Sequence, residues 1–246
     1  MSNIRLSKCD HHGEYTSHLM AGRIGRRWSS CPGCEEQAMQ SETNARAAEQ
    51  ARLEADRKAR QLTSAGIPPR FADCTFATYS AESVGSQKAK AFCESLAAEC
   101  HQSGRSALFV GKPGTGKTHL AIAIARNMLE RGRTACYTTV QRMVRRVKDT
   151  WSDDRVETEK QAIHSLASVH LLILDEVGVQ FGSPFEENLM FDVLNSRYEN
   201  RLPTILISNL TSEKAATFLG ERVVDRLRED GGSVVVFDWQ SHRRVQ

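Results

Sequence analysis

The sequence predicts an α/β protein: a parallel sheet between helices, preceded by a small N-terminal zinc module and a helical linker. Three features point there. Residues 111–118, GKPGTGKT, form a glycine-rich phosphate loop between an apolar run and an amphipathic one. From residue 107 onward, apolar runs of strand length alternate with helical patterns, as strands buried on both faces require. The first 34 residues hold two close pairs of metal-ligand side chains.

Taken in order, residues 1–34 are rich in His, Cys, Gly and Arg with no sustained helical period, and read as a metal module. Residues 35–64 are dominated by Ala, Glu, Gln and Arg, which favour helix but bury little, so a solvated helical linker is expected. AGIPPRF at 65–71 stops that helix with Gly66 and the Pro68-Pro69 pair. A third segment, 65–246, then forms the large domain. Within it, ALFV (107–110) reads as a strand, HLAIAIARNMLERG (119–132) as a helix closed by Gly132, and TACYTTV (134–140) as a second strand. VQRMVRRVKDTW is a basic helix, LLILD (171–175) a fully apolar strand, and ENLMFDVLNSRYEN an amphipathic helix. TILISN (204–209) and SVVVFDW (233–239) supply two more strands.

At 246 residues the chain has room for one α/β domain and a small appendage. With 40% hydrophobic and 26% charged residues it is not a disordered chain. The formal charge of +3 is too small to decide for nucleic acid, so local clusters must. The start, MSNIRLSKCDHHGEY, lacks an apolar signal core, and LLIL at 171–174 is far too short to cross a bilayer. A cytoplasmic protein with no membrane partner is expected. Seven cysteines, an odd number without a secretory signal, suggest reduced thiols.

Gly111, Gly114 and Gly116 let the backbone wrap around phosphates, with Pro113 and Thr115 completing the loop. Lys117 is expected to reach the β- and γ-phosphates, and Thr118 to offer its hydroxyl to Mg²⁺. Asp175 and Glu176 end the strand LLIL in a Walker B pattern: Asp175 for the metal, Glu176 to polarise the attacking water. Asn209 is a candidate γ-phosphate sensor, although Ser208-Asn209 also reads as a cap for the segment starting at Thr211. Arg222 and Arg226 lie four apart on one helix face; they read either as phosphate-reaching groups or as surface charges paired with Glu221, Asp225 and Glu229. Cys9, His12, Cys31 and Cys34 form a C-x₂-H…C-x₂-C set suited to tetrahedral Zn²⁺, with His11 and His18 as alternative ligands. A redox C-x₂-C is the competing reading. Metal binding would supply most of the module's folding free energy. Arg5, Lys8, Arg23, Arg26 and Arg27 outnumber Asp10 and Glu14 there, so DNA contact and partner docking are both open.

GKPGTGKTHLA, LLILDEVGVQ, ISN and LGERVVDRLR together resemble the DnaC-type replicative helicase loaders, AAA+ ATPases of the initiator clade, from about AGIPPRF to SHRR. The resemblance implies an ATPase using ATP and Mg²⁺ that delivers a ring-shaped DnaB-type helicase onto single-stranded DNA. It implies Walker roles for Lys117, Thr118, Asp175 and Glu176, sensor one at Asn209, and an arginine finger at Arg226 that completes a neighbouring subunit's site, and so self-assembly. Arg222 is the runner-up finger and Arg243 a candidate second sensor. It also implies a DNA path along the basic helix, with Arg142, Arg145, Arg146, Lys148 and Trp151, joined by Phe185. Two rival functions share these motifs: an IstB-type transposition helper that coats duplex DNA, and a zinc-dependent DNA-binding adaptor with a nucleotide switch.

Overall fold

The computed structural model of the chain describes residues 3–22, 25–179 and 183–241. Two compact units emerge, residues 1–58 and 59–246. In the first, β1 (Ile4–Cys9), β2 (Gly13–Gly22) and β3 (Gly25–Trp28) form an antiparallel sheet in sequence order. These strands lie in a segment that its composition marks only as a metal module. The alternation in IRLSKC does carry the signal, but both faces of so small a sheet stay largely exposed, which weakens any apolar pattern. Arg5 lies over the Trp28 ring at 4.4 Å, and buried Ser17 donates to the Ser29 carbonyl at 2.8 Å.

Helix α1 runs over Pro32–Ser64, 33 residues with none buried. It starts on a proline, which suits the first helical position because its missing N–H would have no partner there. Cys34 therefore stands in the first turn of the helix, so the metal module and the linker overlap. The division between the units falls at Lys58, inside this helix.

In the second unit, β4 (Ala107–Gly111), β5 (Ala135–Thr139), β6 (Leu171–Asp175), β7 (Thr204–Ile207) and β8 (Ser233–Phe237) build a five-stranded sheet in the order β5-β6-β7-β4-β8, every pair parallel. Alternate residues of each strand divide between two cores, as the two-residue period of a strand dictates. Phe109, Leu171, Ile173, Ile205, Ile207 and Phe237 meet α2 (Val84–Ser103) and α3 (Lys117–Glu130) through Leu96, Leu120, Ile124 and Met128. Leu108, Val110, Leu172, Leu174 and Leu206 face the other way. They pack with residues of α4 (Val140–Asp149), α5 (Glu159–Ser168), α6 (Pro184–Glu199), α7 (Ser212–Leu219) and α8 (Glu221–Arg228). Helices α2 and α5 had gone unassigned in the sequence, α2 because it is nearly neutral in polarity all round.

Arg197 of α6 is 0% exposed, and among the described residues no carboxylate pairs with it. Instead it donates to the carbonyls of Leu166, Ala167, Val169 and Pro203 and to the Thr204 hydroxyl, at 2.6–3.2 Å. One side chain thus satisfies the last carbonyls of α5 and pins the entries of β6 and β7, groups that would otherwise be orphaned. Burial holds its guanidinium down to about 9, well below its usual range.

Candidate nucleotide site and metal cluster

Because β4, β6 and β7 are parallel, their carboxyl ends meet at one edge of the sheet, where open α/β sheets bind ligands. β4 runs into the glycine loop, β6 into Asp175-Glu176, and β7 into Ser208-Asn209. A cavity of about 610 Å³ opens there, lined by Pro113, Gly114, Gly116, Lys117, Thr118, Asp175, Glu176 and Asn209. That is the size of a nucleotide-class pocket.

The loop is held from behind. Gly111 and Gly116 have φ of 127° and 93°, and a Cβ on either would lie 2.2 Å from the Phe237 carbonyl oxygen or 2.5 Å from the Tyr79 ring. Only glycine fits. The buried Thr115 donates to the Lys112 carbonyl at 2.9 Å, and its own carbonyl accepts from Trp239 Nε1 at 3.0 Å and Tyr79 Oη at 3.3 Å. Lys117, 5% exposed, donates to the Gly111 and Lys112 carbonyls, each at 2.7 Å. His119 sets its Nε2 2.8 Å from the Thr75 carbonyl, which makes that nitrogen the donor, and stacks edge-on with Tyr79.

Asp175 is 9% exposed and fully engaged. Its Oδ2 accepts from Thr118 Oγ1 and Tyr137 Oη, both at 3.0 Å, and its Oδ1 accepts from the Glu176 amide at 2.7 Å. Burial first, and then the Asp175 charge, push the Tyr137 phenol up, so it keeps its proton and remains the donor. Glu176 is exposed with φ 63°, one of two described non-glycine residues in the left-handed region. Strain of this kind, worth about 1–3 kcal/mol, gathers at functional sites.

The donor set fits Mg²⁺ and a nucleoside triphosphate: loop amides and the start of α3 for phosphate oxygens, Lys117 for charge, and the hard oxygens of Thr118 and Asp175 for the metal. Thr118 and Asp175 would hold that ion, which would supply positive charge beside the phosphates. Asn209 lines the cavity, while the cap of α7 is Thr211, which accepts from the Lys214 amide; the alternative reading of Asn209 as that cap is thereby corrected.

Arg226 lies elsewhere. It stacks on Tyr198 at 4.8 Å, approaches Phe191 at 5.9 Å and donates to Asn195 Oδ1. That pocket adjoins Ser106 and Thr204, where β4 and β7 begin, at the opposite end of the strands from the phosphate loop. Pairing with neighbouring acids is thus not what holds it. Arg222 is exposed, and Arg243 lies outside the described residues.

Around the basic helix α4, capped by Thr139 accepting from the Arg142 amide, the structure gathers Lys148, Trp151 and Phe185. Trp151 is 57% exposed, not a core anchor; it meets Phe185 edge-on at 5.0 Å and donates to Glu159 at 2.8 Å. Lys148 lies 5.9 Å over Phe185 and pairs with Glu186 at 3.2 Å. Arg145 is exposed on a separate groove with Arg142 and Arg155, while Arg146 is held bidentately by Glu157 at 2.6 and 2.8 Å.

In the N-terminal unit, ligand atoms of Cys9, His12, Cys31 and Cys34 all lie within 4.8 Å of one another. Cys9 Sγ is 3.4 Å from Cys34 Sγ and 3.7 Å from His12 Nδ1, which is 3.4 Å from Cys34 Sγ. Tetrahedral zinc sets such ligands about 3.5–3.8 Å apart, so the residues fit that ion. Main-chain hydrogen bonding at His11, followed by the His12 ring, pulls the Cys9 thiol down to about 6, whereas its hydrogen bond with Cys9 pushes Cys34 up to about 11. A Cβ on Gly33 would lie 2.7 Å from the His12 ring, so the Cys-Pro-Gly-Cys turn needs that glycine for room. His11 and His18 are not in the cluster. Arg23 falls outside the described residues.

Sequence reasoning missed Tyr137, Tyr79, Trp239 and His119. The last adjoins the phosphate loop and was within reach; the others depend on strand register.

A five-stranded parallel sheet with the phosphate loop on its first strand, Walker B acids on its third and a polar residue after its fourth defines an AAA+ ATPase. The sequence profile described as "IstB-like ATP binding protein" matches residues 39–241. The chain belongs to this family, on the branch of the DnaC-type helicase loaders. The replicative helicase loader DnaC of Escherichia coli K12 is 35% identical over 184 residues, 75% of each chain. Among solved structures, the DnaC helicase loader aligns with a TM-score of 0.61 at 23% identity, over 69% of this chain and 99% of that one. AMPPCP-bound DnaA from Aquifex aeolicus aligns with a TM-score of 0.59 at 22% identity, over 70% and 51%. These two likenesses speak to fold. Among the described residues, no helix is long and apolar enough to cross a membrane.

Proposed function

We propose that the chain is an ATP-controlled loader that places a DnaB-type hexameric replicative helicase on single-stranded DNA. The observation carrying this reading is the 35% identity to a replicative helicase loader across three quarters of both chains, over a segment that contains the whole phosphate-loop and Walker B constellation. Lys117, Thr118 and Asp175 hold Mg·ATP, Glu176 orients the attacking water, and Asn209 senses the γ-phosphate. Arg226 serves a neighbouring subunit's site: its place at the far end of the strands keeps it from its own nucleotide. Lys148, Trp151, Phe185 and Arg145 contact the DNA, which must displace Glu186 and Glu159 from Lys148 and Trp151. Cys9, His12, Cys31 and Cys34 hold zinc in a module that docks the partner or DNA.

Mixing the chain with a DnaB-type helicase and ATP or ADP, and reading the complex by mass, tests the reading: a helicase complex whose lifetime depends on the nucleotide is expected. The family profile's IstB-like description favours one other reading, a transposition helper. Indifference to the helicase together with ATP-dependent filaments on duplex DNA would overturn the loader in its favour.

A further inference from the structure

We infer that Tyr137 is a positioning residue for the Asp175 carboxylate, and that it ties the setting of that carboxylate to the segment following the helical linker. This rests on the assignment of Asp175 to magnesium. A carboxylate turns easily about its last torsion, so its aim depends on its donors. Three donors hold Asp175: Thr118 Oγ1, Tyr137 Oη and the Glu176 amide, at 3.0, 3.0 and 2.7 Å. Thr118 rides on the phosphate loop, and its hydroxyl has a second task at the metal. The Glu176 amide belongs to the strained turn itself, with φ 63°. Tyr137 comes from neither the phosphate-binding segment nor the Asp175-Glu176 turn but from the edge strand β5.

The same residue is fixed from the opposite side. Its backbone N–H donates to the Ala65 carbonyl at 2.7 Å, and its ring meets Phe71 edge-on at 6.2 Å. Ala65 and Ile67 lie in the same core cluster as Tyr137, with Leu62 of the last turn of α1 packed against it. A phenylalanine would fill this space equally well; only the hydroxyl reaches Asp175. A shift of residues 62–71 is therefore felt at a metal-binding oxygen through one side chain, and by reciprocity metal binding is felt at 62–71.

Fluorescent ADP titrated into the full chain across a magnesium series, and in EDTA, tests this for wild type, Tyr137→Phe and Asp175→Asn. Tyr137→Phe is expected to raise the magnesium concentration for half-maximal binding about tenfold, the worth of one hydrogen bond to a charged group. Affinity in EDTA should stay unchanged, and the melting temperature should fall by no more than the loss of one hydrogen bond allows. Should Tyr137→Phe match wild type while Asp175→Asn shifts, the inference is wrong and the metal assignment stands. If Asp175→Asn also fails to shift, both fall. Equal losses with and without magnesium would reduce Tyr137 to packing and overturn the proposal. Wild type alone tests the tie: amide exchange at Tyr137 and 65–71 should slow with ADP and magnesium but not with ADP in EDTA, and equal slowing in both defeats it.

Discussion

Glu176 holds its left-handed backbone at the end of an apolar strand, with its amide spent on Asp175 and its side chain exposed at the cavity. A strained, solvent-facing acid with its side chain at the cavity is suited to steering water. Glu176→Gln is therefore expected to lower ATP turnover by about 10²–10⁴-fold, the usual worth of a general base. Nucleotide affinity should persist, checked by phosphate release against equilibrium binding. Equal turnover in both proteins would remove Glu176 from the chemistry. Arg197 poses the opposite case, a buried charge held by backbone carbonyls and a hydroxyl, away from the cavity. Arg197→Met keeps the bulk but strips donors from four carbonyls and the Thr204 hydroxyl. A loss of about 2–4 kcal/mol in denaturant melts is expected, since each buried acceptor left unpaired costs about 1–3 kcal/mol. Nothing in the sequence marks this arginine, because its partners are backbone atoms far along the chain.

At the scale of elements, the apolar strands and the phosphate loop were legible because burial on both faces leaves runs such as LLIL with no polar interruption. The basic helix α4 was legible from its charges, but the setting of its aromatic neighbours was not: Trp151 and Phe185 are 34 positions apart in sequence and meet only because the start of α6 packs beside the end of α4. Trp151 is exposed beside Lys148, with Phe185 half-buried beneath the pair. Trp151→Ala should weaken single-stranded DNA binding about 5–100-fold, since stacking one base contributes about 1–3 kcal/mol. ATP affinity should not change, as read by anisotropy of a labelled oligonucleotide beside a nucleotide titration. Undiminished DNA binding would move the path elsewhere, with the groove of Arg142, Arg145 and Arg155 next in line. Tyr137 and Trp239 stayed illegible for a related reason. A tyrosine in a strand reads as core until register sets it opposite Ile173, two residues before Asp175.

For the whole molecule, the two units rest on different physics. The larger has two apolar cores; the smaller exposes most of its sheet and has a ligand set in place of a core. Removing metal with a chelator is expected to unfold the N-terminal sheet while ATP binding by residues 59–246 persists, seen as loss of one calorimetric transition and survival of the other. Lys117→Ala should do the converse, abolishing nucleotide binding with bound zinc retained. Loss of zinc in that variant would contradict the independence of the units. Under the role proposed for Arg226, its separation from the phosphate loop implies a head-to-tail contact, one end of a sheet against the other end of the next, which makes open or closed rings rather than a two-fold dimer. The chain has three tryptophans, and each reports on a different event. Trp28 lies under Arg5 in the N-terminal sheet, Trp151 on the surface proposed for DNA, and Trp239 against the Thr115 carbonyl of the phosphate loop. Variants that keep one indole at a time would turn intrinsic emission into separate optical channels for metal, DNA and nucleotide, letting the order of the three binding events be timed in one protein without an added dye.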